Sequence, residues 1–163
     1  MASLALREAG IAWCSTDMLA SMVQSHGVAL GFSPEKTAAM APYLRHFIFG
    51  VETVADHYLI EGDIITPAFV VGIRRELKKA MRSVFMGNTK LTVEALRLVP
   101  GWLATCEPAV HEGVRLNIIA ASERLRDECV QTGCAYVEMG DGWDAGLVEA
   151  AGILQFARGS SPG

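Results

Sequence analysis

A chain of 163 residues is near the usual size of one domain and long enough to fold without a disulfide or metal staple. Apolar residues make up 51% and charged residues 20%, which excludes disorder over most of the chain and leaves more apolar surface than one such domain readily hides. The net charge of −4 removes a global electrostatic case for nucleic-acid binding.

No run of about 18 residues is free of charge, so membrane insertion is not expected. The N-terminus lacks a basic start followed by an apolar run and a small-residue cleavage site, so the expected location is cytoplasmic.

Taken in chain order, the first dozen residues suit a short helix. Ser15, Thr16 or Asp17 can cap a helix running to about His26, before a turn containing Gly27 and Gly31. Ser33-Pro34-Glu35 supplies a cap, a proline at the first helical position and an acid in the first turn. The pattern then runs to about Glu61 and stops at Gly62, with Gly50 as a place to kink or split.

Thr66-Pro67 repeats the cap-and-proline signal. The helix it opens is expected to reach about Met86, with Val70, Ile73, Leu77, Ala80, Met81 and Val84 inside roughly a 100° arc. Asn88 or Thr89 can cap a short helix that ends before Pro100-Gly101. Glu107-Pro108 opens a helix to about Gln131, ending near Gly133, with a seam of Val110, Val114, Ile118, Ala121, Leu125 and Cys129.

Cys134 to Met139 reads as a short strand or a turn. Gly140-Asp141-Gly142 breaks the chain, Trp143 to Arg158 reads as a last helix, and 159–163 is a flexible tail. No internal repeat is visible. The expected fold is therefore all-α, a single-domain helical bundle of about five to seven helices over residues 1–158. Leu77, Met81, Val114, Ile118 and Leu125 are expected to be buried, and truncating Ile118 or Leu125 to alanine should cost about 2–5 kcal/mol if each is fully packed.

Candidate chemistry is sparse. On one continuous helix His46, His57 and Glu61 would share a face, with His57 and Glu61 four apart. His111-Glu112 lacks the second histidine of a zinc-protease motif, and no Glu-x-x-His pair exists, so no metal is expected. Cys14, Cys106, Cys129 and Cys134 contain no two-residue spacing and read as free thiols.

Gly140 to Gly146 superficially looks like a dinucleotide turn. Asp141 and Asp144 would repel a pyrophosphate there, and no earlier segment suggests a parallel sheet, so no cofactor is expected. No nucleophile elbow is present, and no catalytic residue is assigned.

The candidate partner-binding residues are Arg74, Arg75, Lys78, Lys79 and Arg82. On a continuous helix they span about 140°, opposite the apolar seam. A solvated helix face is the competing reading, and in either case reversing Lys78 and Lys79 to glutamate should leave stability nearly unchanged. Missing catalytic spacings and excess apolar content together point to a non-catalytic protein-protein interaction protein: an adaptor, chaperone-like or regulatory bundle, binding a protein partner or itself as a homo-oligomer. The alternative is a small-molecule sensor or enzyme with a pocket between helices. A weaker one is a nucleic-acid accessory protein acting through residues 74–82.

Overall fold

The computed structural model describes residues 11–25, 34–98, 106–140 and 143–154. The expected helix in the first dozen residues, the Ser33 cap, the Gly27–Gly31 turn, residues Asp141 and Gly142, and the tail 159–163 lie outside them or largely so. Among the described residues helix dominates, but four short strands form two parallel pairs, so the fold is mixed α/β and the all-α expectation is corrected. The chain divides into two compact units, with the described residues up to Met81 in the first and those from Arg82 to Leu154 in the second.

The first unit opens with strand β1 (Ala12–Ser15), which runs directly into helix α1 (Thr16–Ser25). Ser15 acts as the cap, its Oγ accepting the Asp17 N–H at 3.2 Å. Helix α2 (Pro34–Val54) continues through Gly50 without a break, and strand β2 (Tyr58–Glu61) follows. The expected helix to Glu61 therefore ends at Val54. Tyr58-Leu59-Ile60 is a short apolar run whose periodicity does not separate strand from helix.

β1 and β2 pair in parallel, Ala12 opposite Tyr58 through Ser15 opposite Glu61. Helix α3 (Pro67–Arg74) starts as expected, the Thr66 hydroxyl accepting the Phe69 N–H at 3.2 Å and Pro67 filling the first turn. Leu44 and Ile48 of α2 and Ile73 of α3 form the centre of this unit's core.

α3 stops at Arg74 rather than near Met86. The reason is tertiary. The Lys79 N–H donates to Glu52 Oε1 at 2.8 Å, and the Lys79 ammonium reaches the carbonyls of Glu52 at 3.1 Å and Ala55 at 2.7 Å. Those bonds close the C-terminal end of α2, whose last carbonyls have no partner within the helix. Leu77 and Met81 pack half-buried against the core that α2 and α3 share.

The second unit has the same element order. Strand β3 (Val84–Gly87) is followed by the short helix α4 (Val93–Arg97), helix α5 (Pro108–Thr132), strand β4 (Ala135–Glu138) and helix α6 (Trp143–Leu154). β3 and β4 pair in parallel, Val84 opposite Ala135 through Gly87 opposite Glu138. α5 begins at Pro108 and ends with Gly133 in the left-handed conformation at φ 70°, where glycine carries no Cβ penalty. α4 is capped by Thr92 rather than by Asn88 or Thr89, because those two are engaged at the strand ends.

Val137, Met139 and Ala150 are buried together, with Val84 and Ile153 packed against them. Val114, Ile118 and Leu125 are only half-buried, so the premise of full packing behind the larger truncation cost does not hold. On the same α5 seam, Cys129 is 1% exposed, and burial first, then the neighbouring Cys134 and Glu128, pushes its thiol up to about 11. Reactivity follows the thiolate, so iodoacetamide labelling of the native protein at pH 8 should leave Cys129 unmodified until denaturant is added. Rapid native labelling of Cys129, read by peptide mass mapping, would contradict this packing.

Candidate ligand-binding strand ends

In open sheets of parallel strands, ligands sit beyond the carboxyl ends of the strands, where loops replace the ladder and leave polar groups free. Each unit has one such end, and the two differ in chemistry.

In the first unit the end is formed by Ser15-Thr16-Asp17 after β1 and Glu61-Gly62-Asp63 after β2. Thr16 is fully buried, and its hydroxyl has no hydrogen-bond partner among the described residues. It lies against Gly62, whose φ of 144° and close approach exclude a side chain. The Asp63 carboxyl is held above its ordinary range by partial desolvation first, then by the charges of Asp17 and Glu61. A raised carboxyl pKa favours the protonated form in the folded state. This group's contribution is therefore most favourable at low pH and declines as pH rises from the ordinary aspartate value through the raised one. Among the described residues no three His, Cys, Asp or Glu side chains converge as metal ligands.

In the second unit the corresponding groups are tied down. Glu138, opposite Gly87, accepts the Thr89 N–H at 2.7 Å, the Thr89 hydroxyl at 2.9 Å and the Tyr136 hydroxyl at 3.3 Å. Burial, then the Glu138 charge, pushes the Tyr136 phenol up to about 12. Asn88 is buried. Its N–H donates to Ser122 Oγ at 2.9 Å, its Nδ2 donates to the Gly140 carbonyl at 2.7 Å, and its Oδ1 accepts the Lys90 N–H at 3.1 Å. This network fixes the loop that leaves β3.

Beyond that loop is a shallow depression of about 440 Å³, wide open to solvent. One wall is the run from Thr89 to Glu94. The other is the α5 face carrying Glu112, Arg115 and Ile119. Arg115 donates from Nε to Glu112 Oε2 at 2.8 Å and from Nη2 to Glu112 Oε1 at 2.6 Å, and its Nη1 reaches the Leu91 carbonyl at 3.5 Å. The hydrogen bonds from Arg115 hold the Glu112 carboxyl below its ordinary range. Among the described residues the side chains of Lys90 and Glu94 have no polar partner, and both are exposed.

No family model matches this chain, and no curated protein or solved structure matches it.

The residues singled out from sequence are dispersed. Arg74 ends α3 and Arg75 follows it as the C-cap, while Lys78 is exposed in the irregular stretch beyond. Lys79 is bound to the end of α2. Arg82 belongs to the second unit, where its Nη1 donates to the Leu154 carbonyl at 3.4 Å, at the end of α6. The five cations therefore share no helix face.

His46 lies on α2 but His57 precedes β2 and Glu61 ends it, so that set also disperses. His111 is buried at 2% exposure. The objection to a glycine-rich turn that no parallel sheet precedes it is corrected by the β3–β4 pair, which ends directly before Met139-Gly140. Lys90, Glu94 and Arg115 were not singled out, and the signal that would have found them is Thr89-Lys90 following a parallel strand.

Proposed function

We propose that this is a small-molecule-binding α/β protein whose ligand occupies the carboxyl end of the β3–β4 pair. The observation that carries the reading is the open depression directly beyond β3, where hydroxyl, basic and acidic side chains of the loop and α5 line one surface. It is open to solvent on one side, and its position is where parallel strands present loops to ligands. Mixed charges and hydroxyls at Lys90, Thr92, Glu94 and Arg115 supply orienting groups, and Leu91, Val93 and Ile119 supply apolar wall. Cys14, Cys106, Cys129 and Cys134 form no disulfide among the described residues, which fits a reducing, cytoplasmic compartment.

The test is amide chemical-shift mapping with a panel of small anionic, cationic and neutral compounds. Saturable shifts concentrated in residues 89–94 and 112–119 are expected. Saturable shifts confined to surfaces away from those residues, or no saturable shift with any compound, would overturn the reading.

Self-association is a second reading, favoured by the exposure of Trp13 at 51% and Met18 at 67%. It would place β1 and α1 at an interface, and sedimentation velocity showing a monomer at the highest soluble concentration would remove it. Among the described residues no helix is long and apolar enough to cross a membrane.

A further inference from the structure

We propose that the depression beyond β3 takes a small oxyanion, a phosphate or a carboxylate, held between Lys90 and Arg115, and that the ligand displaces Glu112 from Arg115. This rests on the ligand-site reading and gives it a chemistry.

The two cations line the depression from different walls, Lys90 on the loop that leaves β3 and Arg115 on α5. The guanidinium is already engaged in a forked pair with a carboxylate, the geometry in which arginine recognises carboxylates and phosphates. That carboxylate is Glu112, three residues earlier on the same helix, with 49% of its side chain exposed. Such a pair is weak, because water competes for both members. Glu112 thus occupies the position of a ligand oxyanion and is readily exchanged for one.

The remaining contact from Arg115, to the Leu91 carbonyl, keeps the guanidinium directed at the loop when Glu112 leaves. Lys90 has no competing partner among the described residues, so its ammonium adds a second point of attraction. Thr92 Oγ1 accepts the Ala95 N–H at 3.1 Å and retains its own proton to donate.

Glu94 also lines the depression and repels an unaccompanied anion. The ligand that satisfies the whole wall therefore carries a hydroxyl or ammonium group beside its oxyanion, with the donor toward Glu94.

The experiment titrates the full chain with inorganic phosphate, and separately with acetate, against potassium chloride of equal ionic strength, reading amide shifts in 89–94 and 112–119. Saturable shifts with either anion but not with chloride are expected, and the stronger response identifies the source. Lys90→Ala and Arg115→Ala should each weaken binding about tenfold, as loss of a charge-assisted hydrogen bond implies. Glu112→Gln, a change on an exposed helix face, should tighten binding several-fold by removing the competing charge.

Failure of both anions to produce saturable shifts in the wild type and in Glu112→Gln overturns the proposal. So does weaker binding by Glu112→Gln. If choline or a neutral compound perturbs the depression while the anions do not, the oxyanion inference falls and the ligand-site reading stands. If no compound perturbs those residues, both fall.

Discussion

Replacing Lys79 by glutamate is expected to destabilise the protein by about 2–4 kcal/mol, while the same change at Lys78 costs less than about 0.5 kcal/mol. The two lysines are adjacent in sequence but differ in what they touch. Lys78 is exposed. The Lys79 ammonium lies 3.1 Å from the Glu52 carbonyl, 2.7 Å from the Ala55 carbonyl and 3.4 Å from Asp56 Oδ1. It closes the C-terminal end of α2, where unpaired carbonyls and the helix dipole both favour a cation. Glu52 is only 8% exposed, and its carboxylate accepts the Lys79 N–H. A glutamate at position 79 would bring a second negative charge to this end of α2, beside Glu52 and Asp56. Urea unfolding of the two single variants measures the difference, with an unchanged slope showing that the native state alone is affected. A Lys79→Glu variant within about 0.5 kcal/mol of the wild type would show that this junction contributes little.

The contrast between Lys78 and Lys79 also shows where sequence reasoning reached its limit. The starts of α3 and α5 were legible because Thr66-Pro67 and Glu107-Pro108 are local signals, and the end of α5 was legible because Gly133 accepts a left-handed backbone. The end of α3 was not. The periodicity from Val70 to Val84 fits a continuous helix, and what interrupts it is a bond from Lys79 to Glu52, 27 residues earlier. Strands β2 and β3 were hidden for a related reason. Each is four residues long, and Tyr58-Leu59-Ile60 and Val84-Phe85-Met86 each continue a helical apolar pattern from the preceding segment. Their partners lie far away in the chain, in β1 and β4, so parallel pairing leaves no hairpin signature. The candidate site was obscured with them, because Lys90 acquires meaning only as a residue following a strand end.

Gly62→Ala is expected to be the most damaging methyl addition in the first unit, costing about 3 kcal/mol or more. Two effects act together. The backbone at Gly62 has φ 144°, a conformation that L side chains rarely adopt. A Cβ there would also overlap Thr16 Oγ1 and stand 2.9 Å from Thr16 Cβ. Thr16, the first residue of α1, is fully buried, so moving its side chain aside disturbs packed neighbours. A double-mutant cycle with Thr16→Ala separates the two costs. Because the Thr16 hydroxyl has no partner among the described residues, its removal forfeits packing but no hydrogen bond. Removing the Thr16 side chain beyond Cβ relieves the overlap with Oγ1 but leaves the backbone strain, so the double variant should be more stable than the sum of the single changes implies by about 1–2 kcal/mol. Additive losses would show that strain alone disfavours alanine at position 62. A Gly62→Ala variant as stable as the wild type would show that β1 and β2 do not meet at Thr16 and Gly62.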